Sequence, residues 1–229
     1  MSSIAIITAR GGSKRIPRKN IREFLGKPII AYSIEAALAS GVFDEVMVST
    51  DDQEIAEVAR AYGASVPFFR SEATSNDFAT TADVLNEVLD EYEKRGKSFD
   101  FFACIYPTAP FVTGEKLKSA YHAMEDSDAD SIRTVVQYSY PPQRAFIVKE
   151  GSLEYQYPQY YRSRSQDLEP IYHDCGQFYI YKTSSFRTSG DAGKMLPIVM
   201  PEEETQDIDN YSDWELAEVK YRKFILKEN

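Results

Sequence analysis

In 229 residues the chain has two cysteines, Cys104 and Cys175, and two histidines, His122 and His173. Each cysteine falls inside or beside an apolar, strand-like segment, which predicts reduced, buried thiols and argues against a disulfide or a metal site. Neither histidine has a partner at zinc-ligand spacing, so zinc chemistry is not expected. No stretch of twenty apolar residues occurs, so no membrane-spanning helix is expected. The apolar run Ile4 to Ile7 is too short for a secretory leader, and the basic residues follow it instead of preceding it. A cytoplasmic protein without a membrane partner is the expectation. Internal repeats and low-complexity tracts are missing too. A formal net charge of −10 makes the surface as a whole unsuited to nucleic acid.

Acidic residues are themselves absent from one stretch. Arg10, Lys14, Arg15, Arg18, Lys19 and Arg22 follow one another with no acid between them. A cationic island in an acidic chain suits a small anionic ligand. A solvated basic loop is the alternative on charge alone.

The hydrophobic pattern predicts an α/β fold. Ser3 to Ala9 reads as a strand buried on both faces. Gly11, Gly12 and Pro17 break regular structure after it, and Pro28 opens a helix striped by Ile29, Ile30, Ile34, Ala37 and Leu38. Glu45 to Ser49 is the next strand, and Asp51 with Glu54 reads as the capping pair of a helix ending at Tyr62. A strand over Ala64 to Phe69, a helix over Thr81 to Lys94 and a strand over Phe99 to Tyr106 continue the alternation. A helix over Glu115 to Met124 and a strand over Ser131 to Tyr138 complete it. Such a mostly parallel sheet binds ligands beyond the carboxyl ends of its strands, where the basic loop emerges.

The rhythm fails over about 138–174. That stretch carries Pro141, Pro142, Pro158 and Pro170 with Tyr155, Tyr157, Tyr160 and Tyr161. It is too long for a simple loop and reads either as an excursion packed on another subunit or as a self-contained hairpin flap. Strands over Gln177 to Tyr181 and Leu196 to Met200 follow, then a helix capped by Ser212 and Glu215. The whole chain, 1–229, is expected to form one domain with this segment inserted.

Two constellations carry chemistry. Thr8 to Asn20 places glycines, Ser13, Lys14, Lys19 and Asn20 directly after a buried strand, where backbone N–H groups and cations can face a phosphate. The spacing is not that of the common Gly-x4-Gly-Lys-Ser/Thr loop. Asp207 and Asp209, two apart in an extended segment, present both carboxylates to one side while Ile208 faces the core. They suit a hard cation together with phosphate oxygens, or else are solvated acids after the run Glu202 to Glu204.

The first constellation resembles the signature of the CMP-sugar-acid synthetases, the cytidylyltransferases of sialic acid and its bacterial relatives. Their motif runs Ala-Arg, two variable residues, Ser-Lys, then Lys-Asn. The similarity continues through Val48-Ser-Thr-Asp51, Arg70, Asp77, Pro107-Thr-Ala-Pro110, Gly176 and Asp207-Ile-Asp209. The resemblance implies a Rossmann-like nucleotidyltransferase domain, CTP as substrate, a Mg²⁺ requirement at Asp207 and Asp209, and a homodimer formed through the excursion. It implies that Ala9, Arg10, Gly11, Ser13, Lys14, Lys19 and Asn20 serve the CTP phosphates and ribose, with Arg70 and Thr81 near the base. Arg10, Lys14, Lys19 and Asp209 would act in catalysis.

At the sugar end, Tyr106 and Val112 stand where the sialic acid branch carries glutamine and arginine. Tyr140 to Phe146 and Tyr161 to Leu168 look more like the pseudaminic acid branch. By that likeness Arg164 would meet the carboxylate of a nine-carbon sugar acid, or else brace a dimer interface. His173 would line the sugar pocket, or else be a turn residue. N-acetylneuraminate, legionaminate and the eight-carbon lipopolysaccharide sugar are the rival substrates. A non-catalytic nucleotide sensor is the rival class, although it would not need the aspartate pair.

Overall fold

The computed structural model describes residues 1–228. β1 (Ser3–Thr8) is an interior strand of the sheet, and its Ile4, Ala5, Ile6 and Ile7 are fully buried. After a 3-10 turn at Lys19–Ile21 come two short paired strands, β2 (Glu23–Phe24) and β3 (Lys27–Pro28). α1 (Ile29–Ser40), β4 (Glu45–Ser49), α2 (Gln53–Ala61), α3 (Glu72–Ser75), α4 (Thr81–Lys94) and β5 (Phe101–Ile105) follow. The second half runs α5 (Gly114–Glu125), β6 (Ser131–Gln137), β7 (Phe146–Lys149), β8 (Ser152–Tyr155) and β9 (Tyr172–Lys182). α6 (Thr183–Ser189), β10 (Met195–Val199) and α7 (Tyr211–Lys220) complete it.

Six strands form the sheet in the order β10-β6-β9-β5-β1-β4. Every pairing is parallel except those of β9, which runs antiparallel to β5 and β6. The period of two along the strands divides the core. Ala5, Ile7, Val48 and Ile105 face α1, α2 and α5, whereas Ile4, Ile6, Phe102 and Cys104 face α4 and α6. A third cluster sets Trp214 of α7 edge-on to Phe24, 5.6 Å between ring centres, with Ile208 beside them. This packing brings the C-terminal segment back over the loop that follows β1. Among the described residues no helix is long and apolar enough to cross a membrane. Both cysteines are free and buried.

Several local expectations are corrected. Ala64 to Phe69 forms no strand: only Ser65 bridges to Met47, and Pro67 offers no N–H to extend the pairing. α2 is capped by Asp52, which accepts from the Ile55 N–H at 3.0 Å, because Asp51 is engaged by the Gly11 N–H at 2.8 Å. α7 is capped by the reciprocal pair Asn210 and Asp213, two residues ahead of Ser212 and Glu215. Pro28 is the N-cap of α1, and Leu38 lies on its exposed face.

The stretch between β6 and β9 is a hairpin, β7 against β8, flanked by 3-10 turns at Pro142–Arg144, Pro158–Tyr160 and Ser165–Asp167. It leaves and rejoins the sheet at one place, where the Tyr138 N–H donates to Ile171 O at 3.0 Å. Val148 and Leu153 on the hairpin and Tyr140 before it are 68–88 % exposed.

Candidate active site

The loop after β1 is fixed from several sides. A Cβ on Gly11 would sit 2.8 Å from Asp52 Oδ2 and 3.0 Å from Asp52 Cβ, so only glycine lets the loop approach α2 this closely. Arg18, in the left-handed region at φ 56°, donates to Asp52 at 2.5 and 2.9 Å and to Glu54 at 2.5 Å. That guanidinium, together with the backbone N–H groups of α2, holds the Asp52 carboxyl down at about 2. Asn20 is buried, and its amide donates to Arg10 O at 2.9 Å. Ala9 is buried completely. Gly11, Arg18 and Ala9 therefore shape the loop, while other residues face outward from it.

Arg10, Ser13, Lys14, Lys19 and Asn20 line a cavity of about 540 Å³. Asp207, Asp209 and Tyr106 complete its wall. Arg10 pairs with Asp77 at 2.8 Å, and Lys14 pairs with the same carboxylate, which both cations hold below its ordinary range. Arg15 pairs with Asp209 at 2.7 Å. Lys19 donates to Ile208 O at 2.6 Å and stands 4.0 Å from Asp209. Burial pulls the Lys19 ammonium down, and the negative charges of Asp209 and Asp207 oppose that pull.

The segment carrying the two aspartates belongs to no helix or strand, and Ile208 between them is only 1 % exposed. Burial pushes the Asp207 carboxyl up, and the neighbouring Asp209 charge adds to it. Two like charges on one cavity wall form a place that a cation relieves. Among the described residues no group of three or more His, Cys, Asp or Glu could cage a metal. A pair that leaves the remaining positions to phosphate and water fits the habit of Mg²⁺.

The acidic run before this pair is anchored, although Glu202 and Glu203 are exposed and only Glu204 is half-buried. Glu202–Glu204 is a 3-10 turn, clamped by Lys116 on Glu204 at 2.6 Å and by Lys220 on Glu202 O and Thr205 O at 3.1 and 2.8 Å. The sequence reading missed both lysines as supports of the site. Lys116 comes 88 residues before Glu204, and Lys220 lies on the helix that follows the aspartate pair, so no local spacing announces either.

Two further cavities adjoin. One, about 230 Å³, shares Thr8 and Arg10 and is lined by Arg70, Asp77 and Thr81. Arg70 donates to Ser49 Oγ and Ser49 O, each at 2.9 Å, and burial lowers its guanidinium to about 10, so it stays charged. The other, about 560 Å³, shares Asp207 and is lined by Tyr138, His173, Asp174 and Lys220. His173 packs its ring on Tyr138, 4.6 Å between centres. Arg164 lines none of these cavities. It pairs with Asp167 at 2.7 Å on the excursion, and its side chain is 72 % exposed.

Residues 4–180 match the family model described as cytidylyltransferase. The chain is 41 % identical over 225 residues to the pseudaminic acid cytidylyltransferase of Campylobacter jejuni, covering 97 % of each. It is 36 % identical to the CMP-N,N'-diacetyllegionaminic acid synthase of Legionella pneumophila, covering 95 % of each. A solved CMP:2-keto-3-deoxy-manno-octonic acid synthetase complexed with CTP superposes at a TM-score of 0.69, covering 96 % of this chain and 98 % of that one. At 18 % identity that likeness speaks for the fold alone. The match in sequence over nearly the full length, on a sheet with this loop at its carboxyl edge, places the chain in the cytidylyltransferase family, a family of CTP-dependent nucleotidyltransferases.

Proposed function

We propose that this enzyme activates pseudaminic acid, a nine-carbon α-keto sugar acid, with CTP, giving the CMP-sugar and pyrophosphate. The observation that carries this reading is one cavity lined both by the loop cations Arg10, Lys14 and Lys19 and by the carboxylates of Asp207 and Asp209. The 41 % identity to a pseudaminic acid cytidylyltransferase supports the choice of sugar.

In this reading the triphosphate takes the place of Asp77 on Arg10 and Lys14. Charge-assisted hydrogen bonds to phosphate then replace those to the carboxylate. The cytidine end lies toward the cavity of Arg70 and Thr81. The sugar acid enters the 560 Å³ cavity, which meets the phosphate cavity at Asp207. Its anomeric hydroxyl attacks the α-phosphorus, forming the O–P bond and breaking the bond to the pyrophosphate oxygen, while the hydroxyl proton is released to solvent. Lys19 and Arg10 offset the charge that develops on the phosphoryl oxygens. Asp207 and Asp209 would hold Mg²⁺, which when bound polarises the α-phosphate and lowers the pKa of the attacking hydroxyl. No histidine lines the phosphate cavity, so position and charge carry the rate.

The exposed apolar hairpin supports a homodimer built through the excursion, in a cytoplasmic enzyme. Arg164, remote from the sugar cavity within one chain, would act at the subunit boundary. Pyrophosphate release and product mass, measured with CTP and a panel of sugar acids, test the reading. The expected result is CMP-pseudaminic acid formed in Mg²⁺ and abolished by excess EDTA. Preferential CMP-N-acetylneuraminate would overturn the sugar assignment, and undiminished turnover in EDTA would overturn the metal assignment.

A further inference from the structure

A fourth cavity, of about 260 Å³, adjoins the phosphate cavity at Tyr106 and the 560 Å³ cavity at Asp174. Its walls include Thr81 at the start of α4, Arg133 of β6, Asp191, and the apolar side chains of Leu85 and Phe186. Arg133 stands where the pairing of β6 with β9 slips register, between Arg133 and Val135. Such irregularities re-aim side chains and gather near active sites.

The Arg133 guanidinium lies 3.1 Å from Asp174 Oδ2 and 3.1 Å from Asp191 Oδ1, with its centre 5.1 Å over the Tyr179 ring. Tyr179 donates its hydroxyl to Asp174 and Tyr181 donates its own to Asp191, each at 2.8 Å. Arg133 Nε is buried without a partner. A partly buried cluster of one cation and two anions is a poor device for stability alone, since apolar residues of like volume usually serve as well.

We propose that this side pocket takes an acylamino substituent of the sugar acid, and that Arg133, Asp174 and Asp191 determine which sugar acids the enzyme accepts. The proposal rests on the sugar-activating reading given above. An amide offers one N–H donor and one carbonyl acceptor at a fixed separation. The pocket offers both complements: carboxylate oxygens for the N–H, and the Arg133 guanidinium or the Thr81 hydroxyl for the carbonyl. Leu85 and Phe186, buried at 1 % and 4 % exposure, supply the apolar wall for the acyl methyl. A hydroxyl or an amine at that position satisfies part of the polar set and leaves the apolar wall unfilled. A site with fixed donors and acceptors rejects ligands that cannot match them.

The test uses the full-length enzyme with CTP and three probes. They are a nine-carbon keto sugar acid bearing two acetamido groups and the two mono-amines made by removing either acetyl group. Wild type is expected to favour the diacetamido acid by about tenfold or more in kcat/KM over one mono-amine. Arg133→Met and Asp191→Asn should each lower kcat/KM for the diacetamido acid and leave that mono-amine nearly unchanged, so the preference collapses. Equal losses on all three probes, as a merely structural role would give, overturn the proposal, as does an undiminished preference in both variants. Should Arg133→Met fail to fold, Asp191→Asn carries the test, because its side chain is 60 % exposed. If wild type forms no CMP-sugar from any probe, the sugar-acid reading fails and the pocket falls with it. Product with an unaltered preference in the variants removes the pocket alone.

Discussion

The loop after β1 and the excursion between β6 and β9 both lack regular structure over much of their length, yet they are held in opposite ways. The loop is tied to the body at many points: Gly11 to Asp51, Arg18 to Asp52 and Glu54, and Lys19 to Ile208 O. The excursion is tied mainly to itself, by Gln143 on Glu169 O at 2.7 Å, Arg164 on Asp167 and Lys149 on Glu154. Ser139 on Glu202 at 2.7 Å is one of its links to the body. The loop uses Asp51, Asp52 and Glu54 for shape, while its cavity cations Arg10 and Lys14 rest on the exposed carboxylate of Asp77, which an arriving anion would displace. The excursion instead leaves Val148 and Leu153 in water, an arrangement that a second protein surface would relieve.

The contrast is sharpest within the loop itself. Arg10→Ala should lower kcat/KM by about 10²-fold, the usual scale for one group aimed at developing phosphate charge. Arg22→Ala should change it little, because Arg22 lies over the rings of Tyr211 and Trp214, 5.1 and 5.8 Å away, and does not line the cavity. Equal losses from both, measured by steady-state pyrophosphate release, would mean that the loop acts as a diffuse charge cloud.

On the excursion, Val148→Glu should reduce the mass seen by light scattering from about twice the 26.1 kDa chain toward the single chain. CTP affinity should hold while KM for the sugar rises. A wild type that already scatters as a monomer with full activity would remove the interface role.

Much of the sheet was legible because its strands are apolar on both faces and its helices carry strong start signals. Glu45–Ser49 and Thr81–Lys94 occupy the residues that the pattern predicts. Asp51 and Asp52 stand side by side, and only the tertiary contact with Gly11 decides which of them caps α2. At α7 the helix begins two residues earlier than Ser212 suggests, so the reciprocal cap falls to Asn210 and Asp213. Ala64 to Phe69 is apolar enough for a strand, yet Pro67 and the brief alignment with β4 limit it to one bridge. The fixed order of Arg10, Lys14, Lys19, Asp207 and Asp209 made the candidate site readable. Lys116, Lys220 and Arg133 were not readable, since each is joined to the site through the fold.

A smaller effect concerns the support of the loop. Asp52 has its folded pKa depressed from 3.8 to about 2 by Arg18, so it contributes stability above its unfolded value and loses it as pH falls through about 2. Asp52→Asn should therefore lower Tm near neutrality, and the gap to wild type should close between about pH 4 and pH 2. A gap independent of pH would assign the loss to altered capping of α2 instead of charge.

Calorimetric titration of CTP, with and without Mg²⁺, into wild type and the Asp207→Asn/Asp209→Asn variant tests the central claim most directly. If the loop cations and the aspartate pair form one site, Mg²⁺ tightens CTP binding to wild type and leaves the variant at the affinity seen in EDTA. A variant whose CTP binding responds to Mg²⁺ as fully as wild type would contradict the account.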